Sequence, residues 1–165
     1  MQPGEALGIA AQIAVALAGF AGVVVVFRRE AVHEWSDIDR LRLRLLLANS
    51  IMPLGFSMLG LLLLTIEPTP PGIWRWSSGI LLIVTLSFGT ATSKSFRRVT
   101  SQSAQRQRAT KLMFFFFGVF GVATLLLQLY NLGLLAAFWP FFAGIVYQLI
   151  TAMVQFARMI LLLPE

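Results

Sequence analysis

Charge is absent from four long stretches of this 165-residue chain: Ala6 to Phe27, Leu45 to Ile66, Trp76 to Ser93 and Leu112 to Ala157 contain no Asp, Glu, Lys or Arg. About 20 apolar residues in a helix rise about 30 Å, the thickness of a bilayer's hydrocarbon core. Lipid has no hydrogen bonds to offer the backbone, so such stretches cross it as helices. Composition agrees, with 58% hydrophobic and 12% charged residues, against about 25% charged in a soluble domain. The expected fold is an all-α polytopic membrane helix bundle of about five transmembrane helices, one membrane domain over residues 1–165.

The expected spans are 7–27, 45–66, 73–92, 112–130 and 141–163, with long connections at 28–44 and 93–111. Arg28 and Arg29 stop the first. Ser36-x-x-Asp39 outlines a capping box that starts a helix running through Arg40, Arg42 and Arg44 into the second span. Pro53 lies inside that span. It lacks an N–H and crowds the carbonyl of Asn49, which predicts a kink there, with Ser50 and Ser57 available to the freed backbone. The run from Glu67 to Gly72, rich in proline, breaks the helix, and Trp74 and Trp76 follow at the position of an interfacial aromatic belt. The last charge-free stretch divides at Asn131-Leu132-Gly133, a helix stop with Gly133 suited to a left-handed cap. Trp139-Pro140 then restarts a helix.

Eleven of the thirteen Lys and Arg residues fall in the connections 28–44 and 93–111. The positive-inside rule therefore places the N-terminus outside and the C-terminus in the cytoplasm. Met1 to Gly8 contains Glu5 and no basic residue, so no cleaved signal peptide is expected. The net charge of +6 is accounted for at the span edges and points to no nucleic acid. The basic residues Lys94, Arg97, Arg98, Arg106, Arg108 and Lys111 suit topology anchoring and attraction of anionic lipid headgroups, in a segment whose Ser and Gln content leaves it flexible.

Polar residues at membrane depth are the informative ones. Gln148, Thr151, Gln155 and Arg158 recur at spacings of three and four, which puts them on one face of the last helix. Two readings stay open. The stripe either hydrogen-bonds inside the bundle, with Gln12, Asn49 and Gln128 as partners, or lines a pore around an oligomer axis. Ala10, Ala14, Ala18 and Gly22 form a small-residue row that lets helices approach closely, within one chain or between copies. Glu30, His33, Glu34 and Asp37 resemble metal ligands only as a solvated charge run does, and neither metal nor cofactor is expected. No span has a carboxylate at its centre, so proton relays and intramembrane hydrolysis lack their residues. Gly89, Gly118, Gly121 and Gly144 lie at unmatched depths and mark no inverted repeat.

The stretches AGFAGVVVVF followed by RRE, DRLRLRLLL, and FWPFFAGIVYQLITAMVQFARMIL resemble segments of small multi-spanning bacterial membrane proteins of unassigned function. The resemblance implies a bacterial inner-membrane location and carries over no functional residue. The expected function is that of a non-enzymatic, self-assembling or accessory subunit of a membrane complex, with homo-oligomers or other membrane subunits as partners. The alternative is a small homo-oligomeric channel or transporter lined by Gln148, Thr151, Gln155 and Arg158.

Overall fold

Pro3 opens the first helix, where its missing N–H costs nothing, and the Glu5 carboxylate accepts from the Gln2 N–H at 3.1 Å. The computed structural model describes residues 1–27, 34–66, 72–101 and 108–161, with the side chains of 27, 98–101, 108–111 and 161 excepted. Those residues form α1 (Pro3–Phe27), α2 (Asp37–Ile66), α3 (Gly72–Ser101), α4 (Arg108–Tyr130), a π-helical turn (Asn131–Leu135) and α5 (Phe138–Leu161). Five helices are long and apolar enough to cross a membrane. Glu30, His33 and Arg106 lie outside the described residues. The chain divides into two compact units, Met1–Leu62 with Gln148–Glu165, and Leu63–Tyr147.

In the first unit, α1 buries Leu7, Ala10, Ala14, Leu17 and Ala21. Their alternating spacing of three and four is that of a packed helix seam. The expected small-residue row leaves this seam as it proceeds, for Ala18 is half-buried and Gly22 exposed. Ile9, Ile13, Phe20, Val23 and Val26 face outward. Helix α2 starts on the expected cap, with Ser36 Oγ accepting from the Asp39 N–H at 3.2 Å. It continues unbroken past the buried Pro53. Asn49 Nδ2 donates to Leu45 O and Ser50 Oγ to Leu46 O, while Ser57 Oγ has no hydrogen-bond partner among the described residues. Neither serine, then, serves the carbonyl that Pro53 frees. A hydroxyl finds its own helix's i−4 carbonyl first.

Two contacts and one electrostatic interaction fix the direction of these helices. A Cβ on Gly4 would lie 3.9 Å from Leu61. Far along α1, the Phe20 and Phe156 rings stack with centroids 5.3 Å apart, and Arg42 lies within electrostatic reach of Arg158. Helix α1 therefore runs antiparallel to α2 and parallel to α5.

The second unit contains more helix than polarity alone suggests. Helix α3 extends through Lys94 and Arg97 to Ser101, and α4 begins at Arg108, so much of the segment expected to be flexible is helical. No Gly or Pro occurs from Ser93 to Lys111 to end a helix. Phe96 stacks on Phe114 across α3 and α4 with centroids 3.9 Å apart. Trp74 is no belt residue: it is buried against Phe138 and Phe141, whereas Trp76 and Trp139 are exposed. Both α3 and α4 present apolar side chains outward, among them Ile83, Leu86, Phe115, Phe116, Val122 and Leu126. Their exposed hydroxyls bond back along the helix, Ser87 to Ile83 O and Thr124 to Phe120 O, each at 2.8 Å. Such bonds satisfy a polar group where the surroundings offer none.

The junction of α4 and α5 differs from expectation in its detail. The helix does not stop at Asn131 but widens into the π turn, and the left-handed residue is Ala136 (φ 48°, ψ 37°), not Gly133. The Asn131 side chain imposes this path. Its Oδ1 accepts from the Ala137 N–H at 2.8 Å, and its Nδ2 donates to Ala137 O at 3.0 Å and to Ser78 Oγ at 2.7 Å. Gln128 Nε2 adds a bond to Pro140 O at 2.6 Å, and Pro140 falls in the first turn of α5, where its lack of an N–H is harmless.

Candidate functional site

Polar side chains of the first unit gather in one layer. The midpoints of the candidate spans Pro3–Val26, Asp37–Ile66 and Phe138–Ile160 fall beside Ala14, Ile51 and Leu149. The Gly4–Leu61 and Phe20–Phe156 contacts and the Arg42–Arg158 electrostatic interaction bring the same three positions level when each residue rises about 1.5 Å. The middle of the unit therefore carries Asn49, Ser50 and Pro53 from α2 and Gln148 and Thr151 from α5, with Gln155 and Ser57 to either side. All seven are buried. The buried Ala10, Ala11 and Ala14 of α1 leave room for this at the same depth, since small side chains permit close approach.

The α5 stripe thus faces the interior of its own chain. Gln148, Thr151 and Gln155 are 1%, 7% and 4% exposed, and Arg158 is half-buried at the end of the stripe. A hydroxyl and neutral amides offer hydrogen bonds but no acid or base near neutral pH. Ser57 Oγ and Gln155 Oε1 are buried without hydrogen-bond partners among the described residues. No group of His, Cys, Asp and Glu among the described residues has a metal-binding arrangement, and Asp37 is paired with Arg40.

The partners suggested for the stripe are placed elsewhere. Asn49 shares its layer but donates to its own helix. Gln128 belongs to the α4–α5 junction. Gln12 is exposed and makes no hydrogen bond among the described residues. One turn to either side of it stand Gly8 and Ala16, and two turns on stands Gly19, all on its face of α1. Neither glycine would bring a Cβ within 4 Å of another group. Of the basic set, Lys94 lies exposed on α3 and Arg97 beside it. Arg98, Arg108 and Lys111 are placed by backbone alone.

Two polar anchors went unread in the sequence: Asn131 as a clip, and Tyr147, whose hydroxyl donates to Phe117 O at 2.7 Å. The single signal for Asn131 was an amide inside a long charge-free stretch. No protein-family model, curated protein or solved structure matches the chain.

Proposed function

We infer that the chain is a non-enzymatic membrane subunit that assembles with a second copy of itself through the Gln12 face of α1. One observation carries the reading. Gln12 projects outward near the middle of an apolar span with no hydrogen-bond partner among the described residues. An amide exposed to hydrocarbon there is costly, and its side chain is too short to reach water. An amide both donates and accepts, so two copies related by a two-fold axis satisfy one another. The small residues Gly8, Ala16 and Gly19 let the backbones come close enough. The basic residues at Arg40–Arg44 and Lys94–Lys111 support an N-terminus outside, a cytoplasmic C-terminus and anionic headgroups at the basic end, and the bacterial inner-membrane location rests on the resemblance alone.

Gln12→Leu tests this. In nanodiscs, single-molecule photobleaching should show two chains per particle for the parent protein and mainly one for the variant. The expected loss is about 1 kcal/mol for each of the two amide bonds across the axis, or roughly thirtyfold in association. An unchanged distribution of chains per particle overturns the reading. A stoichiometric second protein on mild extraction would instead make the chain an accessory to that protein.

The second reading, a channel, is favoured by Ser57 Oγ and Gln155 Oε1, polar atoms inside the bundle that no group among the described residues satisfies. Gln148→Leu and Gln155→Leu separate the two. With a packed interior, Gln155→Leu leaves stability within about 1 kcal/mol, because an unsatisfied acceptor is removed. Neither substitution then alters ion or solute flux in liposomes. Flux present in the parent protein and lost in both variants establishes the pore.

A further inference from the structure

At the end of the first unit farthest from Gly4 and Leu61, α2 carries Arg40, Arg42 and Arg44 in alternation. Arg40 and Arg44 are exposed, whereas Arg42 is turned inward. Its side chain is 15% exposed, and its Nη1 donates to Asp39 Oδ1 at 3.0 Å, Asp39 being itself 12% exposed. Arg42 Nε is buried and has no acceptor among the described residues. From α5, Arg158 presents a second guanidinium close enough for its positive charge to be felt.

The depth of these two groups is informative. Arg42 and Arg158 are each nine residues from the level of Ile51 and Leu149, or about 14 Å along their helices. Half of a hydrocarbon core is about 15 Å. Both helix positions therefore lie at the edge of the hydrocarbon core, from which a long side chain reaches a leaflet's phosphates. Two arginines with Asp39 carry one positive charge in excess, and a phosphodiester carries one negative charge. A phosphodiester also presents oxygens that match a guanidinium edge.

We propose that Arg42 and Arg158 hold the phosphate of one anionic glycerophospholipid through their guanidinium groups, with Asp39 positioning the Arg42 side chain. The inference needs the helices to cross a bilayer. It does not depend on assembly through Gln12, and Gln12→Leu should leave it unchanged.

The test is native mass spectrometry of the full chain from nanodiscs of equimolar phosphatidylglycerol and phosphatidylcholine. The expected result is one phosphatidylglycerol retained per chain, with retention reduced about tenfold by Arg42→Gln, the loss of a charge-assisted hydrogen bond. Arg158→Gln should reduce it comparably, and Arg44→Gln, the same charge lost from an exposed position, should not. Arg42→Lys, which keeps the charge and loses the planar fork, should also lower retention, and it provides a second variant if Arg42→Gln fails to fold. Equal retention of the two lipids, or equal losses for Arg42→Gln and Arg44→Gln, overturns the proposal in favour of diffuse attraction. Inorganic phosphate that binds the detergent-purified protein in an Arg42-dependent way, with no phosphatidylglycerol retained, assigns the site to a free anion and also overturns it.

Discussion

Asn131→Ala is expected to lower the stability of the solubilised protein by about 3 kcal/mol, seen as a fall of about 10 °C in the midpoint of thermal unfolding. The side chain makes three hydrogen bonds at once, to both backbone groups of Ala137 and to Ser78 Oγ. Removing it strips partners from polar groups in or beside the core, which costs more than the bonds themselves contribute. It also removes what holds Ala136 in its left-handed conformation, unfavourable for any residue with a Cβ. Asn131→Asp is the informative comparison. The carboxylate keeps the acceptor for the Ala137 N–H and can accept from Ser78, but it loses the bond to Ala137 O and brings a charge into an apolar stretch. Both variants should fall below the parent. If Asn131→Ala unfolds at the parental temperature, the clip does not hold the junction, and the π turn is fixed by packing alone.

This junction shows how far the sequence could be read. The existence of five apolar helices follows from where charge is missing, because lipid tolerates nothing else over such lengths. The ends of the helices do not follow from the same signal. Polarity marks where a span leaves hydrocarbon, and a helix stops only where its backbone is broken or capped. Ser93 onward turns basic without a Gly or Pro, so α3 runs on to Ser101. Gly133 had the residue type for a left-handed cap, but the position of the cap was decided by the reach of Asn131, a tertiary contact.

Which way each face points divided in the same manner. On α5 the polar residues themselves marked the inward side, and the structure buries Gln148, Thr151 and Gln155. On α1 both the interior and the lipid accept apolar side chains, so Leu7 and Ile9 carry no label to tell buried from exposed. The seam at Leu7, Ala10, Ala14, Leu17 and Ala21 could not be separated from its neighbours. Gln12 was accordingly assigned a partner inside the bundle, although it lies on the opposite side of the helix from that seam.

Gly144→Leu should be the most damaging single substitution. An added Cβ would stand 3.0 Å from both Gln128 Nε2 and Leu81 Cδ1, and 3.1 Å from Leu81 Cδ2. Those atoms are side-chain ends, which ordinarily swing aside, but Leu81 and Gln128 are fully buried and have nowhere to go. Gln128 is also committed, its amide donating to Pro140 O at 2.6 Å. Gly144→Ala should therefore cost about 2 kcal/mol through overpacking and the displaced amide. Leucine, with three further carbons, should cost more than about 3 kcal/mol and leave little folded protein at the parental melting temperature. The same change at the exposed Gly89, where a Cβ meets nothing within 4 Å, should be neutral or slightly stabilising, since leucine favours helix more than glycine does. Pairing Gly144→Ala with Gln128→Ala locates the cost. If the clash with Gln128 is its source, the double variant loses less than the two single losses added together. Strict additivity would place the damage at Leu81 and leave the Gln128–Pro140 bond a bystander.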